Sequence, residues 1–395
     1  MQIFLEQYIK IKKTQKIQNA SKEKHFKKKK KNMPEIKNSI FNGEREITLS
    51  DIKDAIPAHL FKRSELRFFI SVFNSVSLTL LTAYIAHKVI PLQLSYTPLW
   101  LLYGIINGTI AVGIWILGHE CSHGAFSEKK WANDLLGYIL HTIVFVPYFS
   151  WQYSHNIHHS KCNNIIEDET HVPKKEGNPR LYVWQKIKEK LGTESLSIIY
   201  LLNLTLIGLP LYLMFGASTG SSRNFSSHFI VPNDLFNGKM LFKVHLSNLG
   251  IVFVIYLLYL WAKATCFMQV LFIYLIPYVV VNGWISIITF LQHNDEDVPH
   301  FDNRTWSWLK GAMCTIDRNY PEYINALHHN IGNTHVLHHV FHELPHYHAR
   351  EANVYFKQIV GSAYIQDKKT IWQAILSNSK LICVKEKEEG VYYYK

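Results

Sequence analysis

The sequence is poor in charge, and much of its charge lies at one end. Only 18% of the 395 residues are Asp, Glu, Lys or Arg, whereas 48% are apolar, a balance that excludes an ordinary soluble surface. The formal net charge of +12 does not predict nucleic-acid binding, because residues 1–33 alone contain 11 Lys against two Glu. We expect residues 1–50 to form a basic, disordered tail and residues 51–395 to form one membrane domain.

Cysteine and several familiar motifs are also scarce. The five Cys are odd in number and form no C-x-x-C pair, which argues against a disulfide framework and favours a reducing environment. There is no G-x-G-x-x-G dinucleotide fingerprint and no His-Pro-Gly-Gly haem signature. We expect no cleaved signal peptide, because no N-terminal stretch has a suitable apolar core. Any redox chemistry would therefore need electrons from a separate protein.

The apolar residues are concentrated in long runs. Residues 68–86 and 99–117 each form an uncharged run of 19 residues, which as an α-helix is about 28 Å long and can cross a bilayer core. Residues 196–215, 246–262 and 268–290 are further candidates. The sequence therefore predicts an all-α, polytopic membrane protein.

The histidines form three compact motifs. Residues 119–123 read HECSH, residues 155–159 read HNIHH and residues 335–339 read HVLHH. Histidines at i, i+3 and i+4 lie on the same side of a helix, one turn apart. With 22 His in the chain, an H-x-x-H-H match is expected by chance only roughly 0.07 times. Two copies beside an H-x-x-x-H therefore predict metal binding.

The first motif alone would indicate a different class of enzyme. HECSH fits H-E-x-x-H, which on a helix is typical of zinc metalloproteases, with Glu120 as the base. A catalytic zinc uses only three protein ligands, so this interpretation leaves most of the patterned histidines unexplained. Eight imidazoles match two metal ions of higher coordination, and imidazole suits iron, copper, nickel and zinc alike. The spacing by itself leaves the metal open.

A shared metal site restricts the topology, because its histidines must lie on one side of the membrane. Three full crossings between the second and third motifs would separate them. We therefore expect residues 196–215, which contain an internal GLP sequence, to lie in the interface or to re-enter, leaving four transmembrane helices. Lys and Arg crowd the segments that bear the motifs, so the positive-inside rule predicts a cytosolic helical cap formed by residues 118–245 and 291–395.

The motifs and their surroundings resemble the membrane fatty acyl desaturases, in particular the acyl-lipid delta-12 and omega-3 group. HECSHGAFS, VPYFSWQYSHNIHHS and THVLHH followed by PHYHAREA carry the resemblance, together with AIPAHLFKRS, LPLYLMFG, LQHNDEDVPHFD and WLKGAMCTIDRNY. The resemblance covers about residues 50–395. It implies an oxidoreductase that uses O₂ and two non-haem irons to desaturate acyl chains of membrane lipid.

The resemblance also implies the site residues. The motif histidines and one more, just beyond the last span, would bind the two irons, and His293 in LQHN matches that extra position. We expect Glu120, Asp168 and Asp317 to support the ligands. The expected ligands are His119, His123, His155, His158, His159, His293, His335, His338 and His339. Five other histidines depart from the spacing and are expected beside the ligands or at the surface: His328, His329, His342, His346 and His348.

Regiochemistry, compartment and electron donor follow from finer details of the resemblance. Glu120 and FSWQYSH favour desaturation at delta-12 of oleoyl chains, whereas HHNIGNTHVLHH is similar to omega-3 (delta-15) enzymes, so that alternative stays open. Hydroxylase and acetylenase relatives share the same motifs. The N-terminus is poor in Arg and Ser, unlike a plastid transit peptide. We therefore expect the endoplasmic reticulum membrane, with cytochrome b5 and its NADH reductase supplying electrons.

Overall fold

The computed structural model describes residues 38–170, 172–216, 226–236 and 238–395, and the predicted tail before residue 38 lies outside them. The first half contains β1 (Ser39–Phe41), β2 (Glu46–Thr48), α1 (Leu49–Ala55), α2 (Glu65–Val89), α3 (Thr97–Ser122), α4 (Lys130–Thr142), α5 (Tyr148–Lys161), α6 (Tyr182–Asn203) and α7 (Leu209–Phe215). A π-helical turn, Leu204–Gly208, joins α6 to α7.

The second half begins with two more long helices and ends in short elements. It contains α8 (Leu241–Ala264), α9 (Phe267–Val270), α10 (Ile276–His293), β3 (His300–Phe301), α11 (Trp308–Met313), β4 (Asp317–Asn319), α12 (Glu322–Leu327), α13 (His335–Val340), α14 (His346–Val360), β5 (Gln366–Thr370), α15 (Ile371–Asn378), β6 (Val384–Glu388) and β7 (Val391–Tyr394). A second π-helical turn, Leu271–Leu275, joins α9 to α10.

Apolar helices dominate the fold, which confirms the prediction of a helical membrane protein. Five helical segments within the described residues are long and apolar enough to cross a bilayer: Glu65–Val89, Leu94–Ser122, Tyr182–Phe215, Gly238–Ala264 and Phe267–His293. Four of these contain the four predicted spans, each extended by a few residues. The fifth contains the segment predicted to lie in the interface.

Helix α3 is the centre of the bundle and packs against α2, α4 and α10. It approaches α10 so closely that a Cβ at Gly108 would lie 2.6 Å from the carbonyl oxygen of Pro277, and only glycine permits this contact. On its other side, Asn107 Nδ2 donates to the carbonyl oxygen of Thr79 in α2 at 2.8 Å. These contacts fix the position of the end of α3, which carries the first histidine motif.

The segment 196–215 crosses α10 near its histidine end. The rings of Tyr200 and Phe290 have centroids 5.6 Å apart, and a Cβ at Gly208 would lie 3.1 Å from Ser286 Oγ. Further along, the Tyr212 hydroxyl donates to Ser154 Oγ, next to the second motif, at 3.1 Å. Both ends of this stretch thus reach the level of the histidines. The interfacial placement of this segment and the four-span topology stay predictions.

The N-terminal part of the described chain is more ordered than the sequence suggested. Strands β1 and β2 form an antiparallel hairpin in which Ile40 pairs with Ile47, and both pack into a core formed with α1, α11, α13 and α14. Thr48 then caps α1 in a capping box with Asp51. The prediction of a disordered tail is therefore wrong for residues 39–50. A few alternating apolar residues in a polar stretch are too weak a signal without the core that buries them.

The C-terminal strands close the cap around the end of α10. Strands β3, β7 and β6 form a three-stranded antiparallel sheet, and β4 pairs with β5 in parallel. The Tyr394 hydroxyl in β7 donates to Asn294 Oδ1 at 2.5 Å, one residue beyond His293. The last residues of the chain are thus part of the structure that surrounds the histidines.

Candidate metal centre

Four helices deliver the predicted ligands to one place. The first motif lies at the end of α3, the second on α5, the third on α13, and His293 is the last residue of α10. Helix α5 begins after Pro147, and its residues Ser154, His158 and His159 are buried. All nine predicted ligands come together, although they are spread over more than 200 positions of the sequence.

Five of the histidines form a compact set, called here the five-histidine group, and their ligand atoms all lie within 4.8 Å of one another. Successive Nε2 atoms are 3.2 Å apart between His119 and His123, and 3.1 Å apart between His123 and His155. A metal ion with bonds to nitrogen of about 2.1 Å has neighbouring nitrogens about 3.0–3.4 Å apart. The spacing therefore fits one coordination sphere. The group consists of His119, His123, His155, His159 and His338.

The other four predicted ligands form a second set, called here the four-histidine group. The Nε2 atoms of His293 and His335 are 3.1 Å apart. The ring of His339 lies 5.0 Å from that of His293, and the ring of His158 lies 4.7 Å from it, centroid to centroid. The two groups adjoin, because His159 and His339 stack with centroids 4.2 Å apart. The arrangement fits a pair of metal ions.

Cys162, which the sequence did not single out, lies with three members of the four-histidine group: its Sγ atom and the ligand atoms of His158, His293 and His339 are all within 4.8 Å of one another. Its Sγ atom is 3.9 Å from Nδ1 of His293, whereas Nε2 of that ring faces His335. The thiol thus contacts the opposite edge of the imidazole. Burial raises the pKa of the Cys162 thiol, so the protonated form is favoured. The candidate ligand set remains the nine predicted histidines, with Cys162 next to it.

Buried carboxyl groups lie at the far edges of three rings. Glu120 Oε1 is 3.3 Å from Nδ1 of His119 and 3.8 Å from Nδ1 of His338. Asp168 Oδ1 is 2.8 Å from Nδ1 of His158. A carboxylate on one ring nitrogen orients the other nitrogen towards a metal. Glu120 thus lies behind the rings, away from the converging Nε2 atoms, which is not where the base of a zinc protease would meet a metal-bound water.

Asp317 has a different position from that expected of a carboxylate supporting a histidine directly. It accepts a hydrogen bond from the backbone N–H of Val336 at 2.9 Å and others from Asn353 and the Tyr364 hydroxyl. Burial raises the pKa of Asp317, although these hydrogen bonds oppose the shift. The hydrogen bond from Val336 connects Asp317 to the backbone at the start of α13. Val336 directly follows His335 in the third motif.

The histidine rings are in the state that metal binding requires. Burial, with the neighbouring imidazoles, lowers the pKa of His155, His159 and His339 far below the usual value, which favours the neutral form that binds metals. Among the described residues, Nε2 of His338 and both ring nitrogens of His339 are buried without a hydrogen-bond partner. Unsatisfied buried polar atoms cost about 1–3 kcal/mol each, and coordination would remove this cost. The residues therefore fit metal ions.

The remaining histidines were expected beside the ligands or at the surface, but His328 and His346 are buried against the membrane helices. His342 lies beside the five-histidine group, with its ring 4.9 Å from that of His123. His346 and His329 contact the hydroxyls of Ser71 and Ser75 in α2, at 2.9 and 3.0 Å, and His328 contacts a carbonyl of α3. These three attach the cap to the membrane helices. His342 follows His339 by three positions, which is a signal that could have linked it to the third motif.

An apolar cavity of about 380 Å³ adjoins both groups. His155 of the five-histidine group and His335 of the four-histidine group line it, together with Trp115, Tyr212 and Ile288. The lining combines metal-binding and hydrophobic side chains. A bundle of apolar helices that ends in two histidine groups beside such a cavity defines a membrane metalloprotein for a hydrophobic substrate.

The comparisons with known proteins define the family. The profile of the fatty acid desaturase family matches residues 97–369. A delta-12 fatty acid desaturase of Calendula officinalis is 37% identical over 372 residues, which cover 92% of this chain and 95% of the relative. The chain belongs to the fatty acid desaturase family and is an oxidoreductase of lipid metabolism.

Relatives named for other reactions are equally similar. An oleoyl-12-hydroxylase of Ricinus communis is 37% identical over 356 residues, covering 88% of this chain and 90% of the relative. A delta-12 acyl-lipid conjugase of Impatiens balsamina is 36% identical over 368 residues, covering 91% and 94%. Identity alone therefore does not separate these reactions.

Proposed function

We propose that this protein is an O₂-dependent desaturase that introduces a cis double bond at delta-12 of oleoyl chains in membrane lipid. The observation that carries the proposal is the pair of histidine groups on the wall of one apolar cavity. Two iron ions are the proposed cofactors. The proposed ligands are His119, His123, His155, His159 and His338 for one ion, and His158, His293, His335 and His339 for the other.

Iron is proposed because of the reaction. Removing hydrogens from an unactivated CH₂ pair requires oxidising power from O₂, which bound iron supplies and redox-inert zinc does not. The acyl chain loses two hydrogens while O₂ is reduced to two waters, with two electrons from a donor protein and two protons from solvent. The side chains of the cavity bind the acyl chain, exclude water and place its reacting carbons beside the histidines.

The wall of the cavity supports an acyl substrate. Trp115 and Trp151 pack edge to face with centroids 5.1 Å apart, and Trp151 stacks on His155 at 4.3 Å. These large rings hold both the first and second motifs against the apolar lining. The imidazoles and the apolar side chains thus form one continuous wall against which a hydrocarbon chain can lie.

The cellular setting is part of the proposal. We infer four transmembrane helices, the histidines on the cytosolic side of the endoplasmic reticulum membrane, and cytochrome b5 with its NADH reductase as the electron donor. The distribution of Lys and Arg supports the orientation. Relatives named as delta-12 desaturases support delta-12 as the position of attack. Omega-3 desaturation, hydroxylation and acetylenic bond formation are the alternatives.

The test is expression in a host that makes oleate but no linoleate, followed by fatty-acid profiling. We expect linoleate from the unaltered chain and none from His158→Ala. His348→Ala, which changes a histidine outside both groups, is the matched control and should keep activity. A hydroxylated or acetylenic product would contradict delta-12 desaturation and show that the protein catalyses the corresponding alternative reaction. Product only when linoleate is fed would support omega-3 desaturation.

Metal analysis gives an independent check. The purified protein should contain two iron ions per chain, and His158→Ala should contain less. One zinc ion and no iron would instead favour the protease interpretation of HECSH and would contradict the proposed reaction.

A further inference from the structure

We propose that a second cavity binds a zwitterionic membrane phospholipid, with an acyl chain in an apolar groove and the headgroup in an adjoining polar pocket. The groove has a volume of about 640 Å³ and is called here the interfacial groove. Its walls include Ile105 of α3, Val279 and Ile287 of α10, and Tyr323 and Trp372 of the cap. None of the nine proposed ligands lines it. It is therefore distinct from the cavity of about 380 Å³ beside the histidines, called here the metal-site cavity.

A single layer of side chains separates the interfacial groove from the metal-site cavity. In the segment that crosses α10, Leu204 lines the metal-site cavity and Leu206 lines the groove. In α10, Ile288 lines the metal-site cavity and Ile287 lines the groove. A lipid in the groove would therefore lie next to the segment that forms the wall of the proposed substrate cavity.

The surroundings of the groove identify lipid as its occupant. Ile105 and Val279 belong to helices long and apolar enough to lie in a bilayer, so the medium on that side is hydrocarbon. At the cap side, Tyr323 is 68% exposed and Trp372 is 74% exposed. Aromatic side chains of this kind are enriched where a membrane meets water. The groove is thus placed to take an acyl chain directly from the bilayer.

A polar pocket of about 280 Å³ continues the groove, and Asn319 lines both. Arg350 and Lys357 of α14 line the pocket together with Glu322 of α12. Arg350 pairs with Glu322 at 3.0 Å, and both side chains are more than half exposed. Lys357 Nζ lies 4.7 Å from the centroid of the Tyr364 ring and contacts Gln366 at 3.2 Å.

The charges of the pocket match a zwitterionic headgroup. Two cations can meet a phosphate, as basic pockets beside membrane helices do, while the carboxylate of Glu322 can meet an amine or quaternary ammonium. Arg318 also lines the pocket, but it is fully buried and held by Asp295 and Asp367. The ion pair of Arg350 with Glu322 is exposed instead, so it can open to admit a phosphate and an ammonium group. We therefore assign the phosphate to Arg350 and Lys357.

The test is photo-crosslinking in nanodiscs with a phosphatidylcholine that carries a diazirine in its acyl chain. The labelled peptides are identified by mass spectrometry. We expect label on the peptides that contain Val279 and Tyr323. Val279→Trp, which fills the groove, should remove most of this label. Arg350→Gln with Lys357→Gln should weaken it by about 5- to 30-fold, as the loss of two cation contacts to a phosphate predicts.

Matched controls separate this site from general contact with lipid. Val252→Trp changes an exposed apolar residue of α8. The double variant Lys130→Gln with Lys186→Gln is the control for the two cations. Lys130 pairs with Asp134 as Arg350 pairs with Glu322, and Lys186 lies over the Tyr182 ring as Lys357 lies over that of Tyr364. Both controls should leave the label unchanged. Equal labelling of the Arg350/Lys357 variant and the unaltered chain would overturn the headgroup assignment.

Two further arms complete the test. A phosphatidylglycerol probe, which lacks the amine, should label the groove more weakly, and equal labelling would overturn the zwitterionic assignment. The binding measurement is repeated in His158→Ala, which we expect to be inactive. Label in the groove of that variant would establish lipid binding whatever the reaction, whereas label spread evenly over the exposed apolar helices would contradict the site.

Discussion

The two histidine groups use the same sequence pattern in opposite ways. In the second motif, the i, i+4 pair His155 and His159 joins the five-histidine group, while His158 joins the other. In the third motif, the i, i+4 pair His335 and His339 joins the four-histidine group, while His338 crosses to the first. An H-x-x-H-H motif therefore does not contribute to one group alone. It divides three imidazoles between two neighbouring groups.

The groups also differ in what holds them in place. The five-histidine group depends chiefly on α3 and α5, whose regular geometry sets the spacing of its rings. The four-histidine group depends on the end of α10 and on the six-residue helix α13. Three long-range contacts position those short elements, through Arg318, Asp317 and Tyr394. The second group should therefore be more sensitive to changes far from the histidines.

The largest effect is expected from removing one ligand of each group. His123→Ala and His335→Ala should both abolish desaturation, because the reaction as proposed needs both ions. Elemental analysis of the purified variants should show a loss of one ion of two in each case. Retention of two ions together with activity in either variant would remove that residue from the ligand set.

The next largest effect concerns Arg318, which is fully buried. Its guanidinium donates to the carbonyl oxygens of Leu291 and Asn294, and pairs with Asp295. Arg318→Met should destabilise the fold by about 3–5 kcal/mol, because it leaves buried carboxylates unpaired. Thermal unfolding in detergent measures the change.

The control is Arg350→Met. Its exposed ion pair with Glu322 should contribute about 0–1 kcal/mol. If both variants unfold alike, the ends of α10 and β4 are not held together by the buried arginine.

A smaller effect separates the two groups by their carboxylates. Glu120→Gln should weaken metal binding at the five-histidine group and Asp168→Asn at the four-histidine group, each by about 10- to 100-fold. Competition with a chelator gives the two affinities. Glu167→Gln is the control, because Glu167 lies next to Asp168 but pairs with Lys161 near the surface. If one of these variants loses metal affinity equally at both histidine groups, Glu120 and Asp168 do not support separate groups.

The smallest effect is expected from Tyr394→Phe. The change removes the hydroxyl that donates to Asn294, and one hydrogen bond contributes about 1 kcal/mol. The melting temperature should fall slightly, with iron content nearly unchanged. Tyr393→Phe in the same strand serves as the control and should have no effect. A larger loss of iron than of stability would show that β7 positions His293 directly.

Much of the fold and the site follows from local patterns in the sequence. The apolar runs predicted the long helices, because a bilayer core requires about 20 apolar residues in a row. The i, i+4 spacing predicted which rings of a motif share a helical side. His293 came from the family resemblance, and Glu120 and Asp168 contact the histidines that their positions suggested.

Other features depend on contacts between distant segments, which spacing does not encode. The hairpin of Ile40 and Ile47 is ordered by a core that includes helices α13 and α14. Cys162, just after α5, meets His293 at the end of α10, and His342, just after α13, meets His123 at the end of α3. Asp317 contacts a backbone N–H of α13 rather than an imidazole, and no motif distinguishes these two roles.

By itself, the sequence determined that this protein is a helical membrane protein with clustered imidazoles, because helix length, hydrophobicity and residue spacing are local properties. Its resemblance to the desaturases, and not these local patterns, indicated an oxidoreductase. Only the tertiary structure decided how nine histidines divide into two groups, which carboxylate holds which ring, and that a lipid-sized groove lies beside the metal-site cavity. Those features arise where separate helices meet, and their geometry is set by packing across hundreds of residues of chain.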